Sequence, residues 1–341
     1  MTRYNLPHLD AAENVFFQRE LEMILREQFD VKYAVLKGKQ FVPVDNSIDP
    51  GAESVTWRQF DMAGKAKRIK DHSADLPLVN AQGREFTSPM VSYGDAFEYT
   101  LDELRASAKV NRPLERARAM AARKTIDQQI DAVIATGDAD ALLDGFLNRN
   151  DCQGQNNLNL SGTPLIAETR VALTGPGALV DPAGGADAGA GGASSLWVNK
   201  TADQIIADVN LLVANMATRT KDVEHVRRVL IPVNQYSLIA STPRSTISDT
   251  TILTFLEAAH PGVEFASWER LSLQGVQIAS VGTNRMVGYD PDPMNLRVLV
   301  SIEFEQLAPQ LENFAYKVNC RCKMGEVISP YPKSIIYADG I

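Results

Sequence analysis

Histidine and cysteine are scarce in this chain: four histidines and three cysteines among 341 residues. Neither type is set out for metal chemistry. His8, His72, His225 and His260 are scattered, and none stands at ligand spacing from another histidine or a cysteine. Cys320 and Cys322 would share one face of a strand, but a structural zinc needs about four ligands and nothing nearby supplies the rest. Buried, inert thiols are the expectation. An odd cysteine count also argues against a disulfide framework and for a reducing compartment. No run of about 18 apolar residues exists, so no membrane span is expected. Met1 to Tyr4 opens no apolar stretch of a secretory signal. There is no Gly-x-Ser-x-Gly elbow, and no GxGxxG follows a strand. Asp290-Pro-Asp292-Pro is acidic, but alternate prolines make it a turn rather than a calcium loop. The expectation is no catalytic residue, no metal site, no cofactor, and not an enzyme.

What is present is ordinary globular chemistry, 45% hydrophobic and 22% charged, which excludes wholesale disorder. The formal net charge of −8 excludes a nucleic-acid binder by bulk charge alone. Length allows two or three modest domains. The most informative stretch runs from Tyr99 to Asp138. Thr100-Leu-Asp-Glu103 reads as a capping box that opens a helix. Pro113 interrupts it and suits the opening of a second helix through Leu114, Ala117, Ala121, Ile126, Ile130 and Val133. Gly137 is a plausible left-handed stop. At 1.5 Å per residue the second helix spans about 35 Å, a rod suited to lying on a sheet that includes Ala315 to Cys322.

The hundred or so residues before that rod have little sign of a core of their own. Ala11 to Gln28 is an amphipathic helix candidate, and Tyr33 to Val44 reads as an extended arm closed by Pro43. Val55 to Trp57, Phe60 to Met62 and Val91 to Tyr93 suggest strands of a ribbon, with a charged stretch at Lys65 to His72. Such a ribbon is marginal alone and needs a surface to lie on. Trp57, Phe60 and Met62 are the candidate anchors, since aromatic side chains dominate interfaces. Leu173 to Ser195 is rich in Gly and Ala and reads as a mobile loop. Thr201-Ala-Asp-Gln204 is a second capping box, opening a helix to about Thr218. Short strands at Val229 to Ile231, Val276 to Val281 and Met286 to Tyr289, mixed with helices at Pro232 to Ala240 and Thr250 to Ala259, describe an α/β subdomain. Strands return at Leu296 to Val300, Ala315 to Cys322 and Ser334 to Tyr337.

One charge cluster stands out. Arg105, Lys109, Arg112, Arg116, Arg118, Arg123 and Lys124 crowd one helical stretch, opposed only by Glu115. Contact with acidic arms of adjacent subunits is the favoured reading. A solvated face and a nucleic-acid surface are the alternatives, the last weakened by the absence of interleaved aromatics.

This order of parts resembles the tailed-phage major capsid protein of Hong Kong 97 type. The motifs that carry the resemblance run through the chain. Phe17-x-x-Glu-Leu21 leads into Asp30-Val-Lys-Tyr33 and Phe41-Val-Pro-Val44. Tyr99-Thr-Leu-Asp-Glu-Leu104 leads into Ala121-Ala-Arg-Lys-x-Ile126 and Asp131 to Asp138. Then come Leu230-Ile-Pro-Val-Asn-Gln-Tyr236, Ser248 to Leu256 and Pro332 to Gly340. The match looks closest to the subfamily called domain of unknown function 2184. The resemblance implies an α+β fold in five parts: an N-terminal arm (1–44), an extended β-ribbon or E-loop (45–99), and a P-domain with a long spine helix (100–150 and 296–341). A Gly/Ala-rich insertion loop (151–196) and an α/β A-domain (197–295) complete it. It implies a virion shell of hexamers and pentamers, assembled in the host bacterial cytoplasm around double-stranded DNA held by weak non-specific contact. Portal and scaffolding proteins would be partners, and a cement protein in some shells. Only about forty residues precede the ribbon, too few for an ordinary fused scaffolding domain. Some relatives cross-link a ribbon lysine to an asparagine. Lys65, Lys67 and Lys70 lie in the ribbon, but no matching asparagine and acid are identified, so the cross-link is not carried over to this chain. The alternatives are an encapsulin-type compartment shell with the same fold and, more remotely, an α/β enzyme. Within the shell reading, Trp57, Phe60, Met62, Arg112, Arg116, Arg118, Arg123 and Lys124 are the subunit-interface candidates.

Overall fold

The computed structural model describes residues 34–63, 67, 80–110, 114–147, 196–245, 249–272, 284–339 and 341. The chain divides into two units, Met1–Val35 and Leu36–Ile341, and the elements that follow belong to the second. The expected Ala11 to Gln28 helix, Arg112, the strand at Val276 to Val281 and nearly all of the Gly/Ala-rich insertion lie outside the described residues, as does the Lys65 to His72 stretch except Lys67.

The arm departs from its expected extended form. Gly38–Phe41 is one helical turn (α1), followed by a short strand, β1 (Val44–Asp45). The turn aims Phe41 inward, where it and Val42 are buried among residues of their own chain. The chain then runs out along β2 (Ser54–Ala63) and back along β3 (Asn80–Pro89), paired in unbroken register from Ser54 with Pro89 to Ala63 with Asn80. Strand β4 (Val91–Thr100) leaves this ribbon and joins a different sheet, so the two-stranded part ends at Pro89 and not near residue 99.

The capping box forms as its sequence demands. Thr100 N donates to Glu103 Oε2 at 3.1 Å and Glu103 N to Thr100 Oγ1 at 3.2 Å, opening α2 (Leu101–Val110). Helix α3 (Leu114–Thr136) follows, with Ala122, Ile126, Ile130, Val133 and Ile134 buried at helical spacing. Gly137 stops it at φ +73°, where an added Cβ would come within 2.1 Å of Leu143 O. A small hairpin, β5 (Gly137–Asp138) with β6 (Leu143–Asp144), turns the chain back. Phe146 N and Leu147 N then donate to the carbonyls of Ile134 and Ala135 at 2.8 and 2.9 Å, satisfying the end of the helix.

The second capping box opens α4 (Ala202–Thr220), with Thr201 N donating to Gln204 Oε1 at 2.9 Å. Beneath it Asp208 Oδ2 accepts from Lys200 Nζ at 2.6 Å and Trp197 Nε1 at 3.0 Å, all three residues being buried. Burial pushes the Asp208 carboxyl up, against the opposing pull of Lys200. Then follow β7 (Arg228–Ile231), α5 (Val233–Ser241), α6 (Ile252–Ala259), β8 (Glu264–Ser267), β9 (Arg285–Tyr289), β10 (Arg297–Gln306), β11 (Gln310–Glu312), β12 (Ala315–Ile328) and β13 (Ile335–Asp339).

Two sheets organise these strands. The first runs β1-β10-β12-β11, with β4 on the other edge of β12, and only β1 is parallel to its partner. Helix α3 covers one face of it: Ile126, Ile130 and Val133 share a core with Phe97, Tyr99, Val318, Cys320 and Cys322. The second sheet runs β13-β9-β7-β8. Its two faces alternate as strand geometry requires. Leu230, Val287, Tyr289, Ile335 and Tyr337 face the core that α3 uses, while Val229, Ile231, Met286, Ile336 and Ala338 face the core of α4, α5 and α6. The chain's last strand therefore pairs with the second sheet, although the 296–341 boundary places it with the spine helix.

Candidate assembly surfaces

The ribbon has two unlike faces. On one, Trp57 stacks on Phe86 across the strands at 5.8 Å, and Arg84 lies 5.1 Å from the Phe86 ring centre. The base of this face is not free for another molecule. Val55 and Trp57 pack against Met90, Leu299 and Ile328 of the same chain. Trp57 is thus half-buried against its own chain. The opposite face carries Thr56–Thr87 and Arg58–Glu85 cross-strand pairs, the second at 2.7 Å, and then Phe60. Phe60 is 64% exposed. With Arg58, Gly83, Arg84 and Glu85 it lines a shallow concavity of about 390 Å³. Met62 lies in β2, and its side chain is outside the described set.

The basic cluster is divided by the structure. Arg118 forks onto Glu103 with two bonds of 3.1 Å and also donates to Glu98 O, tying α3 to the β4–α2 junction. The Glu103 carboxyl is held below its ordinary range by the Arg118 side chain first and by the Thr100 amide next. Arg123 pairs with Asp127 at 3.9 Å and sits 5.6 Å from the Phe304 ring centre. Lys124 is half-buried and engaged. These three make contacts inside their own subunit. Arg116 is exposed and has no ion pair among the described residues.

A third surface went unread in the sequence. The β11–β12 hairpin turns at Asn313 and Phe314, both left-handed with φ of 48° and 62°. Asn suits such a two-residue turn, whereas a bulky Phe there is strained. Phe314 is nevertheless 82% exposed and Leu311 beside it 66%. Leu101 N fixes the tip by donating to Phe314 O at 3.3 Å, and Tyr99 stacks on Tyr316 at 5.5 Å. The sequence signal was an Asn-Phe pair between a short strand and a long one, which lacks the glycine that usually marks a turn.

Among the described residues no group of three His, Cys, Asp or Glu side chains is placed to hold a metal, and no helix is long and apolar enough to cross a membrane. Cys320 and Cys322 are free and buried, their thiols pushed up by desolvation first.

A sequence model of the major capsid protein family matches residues 64–163 and 182–341, most of the chain. The chain belongs to the major capsid protein family. Solved structures agree in fold. The capsid of Myoviridae phage XM1 is 18% identical, with 96% of this chain and 99% of that one covered and a TM-score of 0.72. The capsid of a native GTA particle is 12% identical with a TM-score of 0.58, covering 93% of this chain and 94% of that one. A chain of Mycobacterium phage Ogopogo is 10% identical with a TM-score of 0.54, covering 96% and 99%. No curated protein sequence matches. The fold of this major capsid protein is the Hong Kong 97-like one, mixing helix and strand. Its function is to form a phage head by self-assembly, and its place is the virion capsid. The family match decides for the phage shell over the compartment shell.

Proposed function

We propose that this capsid protein builds an icosahedral head of hexamers and pentamers that encloses a double-stranded DNA genome. The observation that supports it is the family match over most of the chain, joined to a ribbon whose Phe60 is exposed among the described residues. A two-stranded ribbon is marginal in water, and a neighbour's surface supplies what it lacks. The residues proposed to meet neighbours are Phe60 and Met62 on the ribbon, the outer part of Trp57, Leu311 and Phe314 on the hairpin, and Arg112 and Arg116 on the basic stretch. Arg118, Arg123 and Lys124 serve the same contact indirectly, by holding α3 in place. Partners beyond self are portal and scaffolding proteins, a cement protein where the shell carries one, and packaged DNA through weak non-specific contact. Assembly takes place in the host bacterial cytoplasm, and the protein acts as structure rather than as an enzyme.

Electron microscopy of purified full-length protein tests this directly. Closed isometric shells are expected, and open sheets or only soluble monomers at high concentration would defeat it. Salt adds a second arm. The screening length falls from about 10 Å at 0.1 M to about 3 Å at 1 M. Arg116→Glu is therefore expected to raise the concentration needed for assembly at low salt, an increase that shrinks at high salt. Unchanged assembly with weaker genome retention would instead assign Arg116 to DNA.

A further inference from the structure

The two sheets of Leu36–Ile341 meet across one apolar seam, where Phe146 packs on Trp268 and Tyr289, and Phe41 meets Trp268 edge-on at 5.4 Å. A single nine-residue segment, Lys37 to Asp45, is bonded to both sides of that seam. Toward the second sheet, Lys37 Nζ donates to Ser267 O at 2.8 Å. Tyr289 Oη donates to Phe41 O at 2.8 Å and Arg228 to Gln40 O at 3.4 Å. Toward the spine helix, Gly38 N donates to Asp131 Oδ1 at 2.7 Å, and the other Asp131 oxygen accepts from Arg270 Nε at 3.2 Å. Lys39 pairs with Asp127 and Glu303. Toward the first sheet, Val44 and Asp45 pair with Val298 and Leu299, and Arg297 reaches Asp45 at 3.4 Å.

The fit is close. An added Cβ on Gly38 would meet Asp131 Oδ1 at 2.8 Å and Ile134 Cγ2 at 3.3 Å, so the segment lies against α3 with no room for a side chain. Directional bonds from one segment to both sides of the seam hold it to a narrow range of angles. The same segment runs through residues 46–53 directly into the ribbon.

We propose that Lys37 to Asp45 is a strap that fixes the angle between the two sheets, and through it the curvature of the shell. The inference rests on the shell-forming reading above. A neighbour gripping the ribbon pulls on the strap through residues 46–53, so contacts between copies can bias that angle. Packed interfaces respond to such bias by switching between discrete arrangements.

Three full-length variants loosen the strap in graded fashion: Tyr289→Phe, Asp131→Asn and Gly38→Ala. Ile252→Val, in the core of α4 to α6, is the control for simple loss of stability. Three readouts are compared: hydrogen exchange of amides 38–45, small-angle scattering of the soluble subunit, and shell diameter by electron microscopy. Strap variants are expected to exchange faster at 38–45, to shift the subunit's scattering profile, and to give shells of altered or widened diameter. The control keeps the wild-type diameter. Folded strap variants that exchange faster yet keep both the wild-type profile and diameter would overturn the strap. So would a control that changes diameter equally, or exchange that stays unchanged in all three variants. If Gly38→Ala fails to fold, Tyr289→Phe, which removes one oxygen, carries the test. Wild-type protein that forms no shells would defeat the shell reading alone, since the scattering shift still reads the strap.

Discussion

Strands β9 and β2 draw on similar residues and reach opposite environments. All five residues of β9 are buried, between α4 on one face and the seam core on the other. None of Ser54 to Phe60 in β2 is fully buried, and among the described residues β2 pairs with β3 alone. The second sheet is completed by its own chain, whereas the ribbon stops half-way. On the proposed shell reading, a side chain of the same kind stabilises the subunit in one place and the assembly in the other, so stability and self-association would rest on separable parts.

The largest expected effect is on the completed side. Lys200→Ala leaves Asp208 buried without its cation, and breaking such a pair costs about 3–5 kcal/mol. Thermal unfolding checks this, and a change too small to measure would place the pair nearer water than its burial implies. Next is Ile336→Ala, a fully enclosed position expected to lose about 2–5 kcal/mol in a denaturant titration. The same truncation on the ribbon, Phe60→Ala, is expected to leave the unfolding midpoint almost unmoved while assembly weakens. Equal destabilisation at both sites would erase the contrast between the regions.

Replacing residues 58–85 with a short turn keeps the Trp57–Phe86 pair and the β4 strand. It is expected to give a folded subunit that forms no shells. Extending the deletion through Thr100 removes β4 from the first sheet and should unfold the protein, as circular dichroism would read. The smallest effect is at the α2 capping box. Its Glu103 carboxyl is depressed in the folded state, so its stabilising contribution is present above the unfolded value of about 4.3 and is lost as pH falls through the lower folded one. Glu103→Gln should flatten that part of the stability–pH curve and leave it unchanged near neutrality in shape.

How far each region was legible follows from the range of the forces involved. Helix α3 was readable to the residue, because Pro113, the Ile126–Ile130–Val133 stripe and Gly137 are local signals and the packing agrees with them. Strand β3 was not, since Gln82 to Pro89 holds a lone Phe86 among charged and small residues, and only pairing with Trp57 makes it a strand. The arm's turn at Gly38–Phe41 was equally hidden, as its partners Asp131, Tyr289 and Ser267 lie far along the chain. Of the candidate interface residues, charge density alone could not separate Arg118, clamped by Glu103, from Arg116, which points to no described acid.

The sequence by itself determined the family, the two capped helix starts and the glycine stop after α3, since each is written in residue types at short spacing. Tertiary structure alone decided that β4 belongs with β12, that β13 crosses to the second sheet, and which arginines pair within the subunit. Those outcomes depend on pairings between residues that are distant in the chain. Such pairings are chosen by the burial of whole faces, a quantity that no local pattern of residues contains.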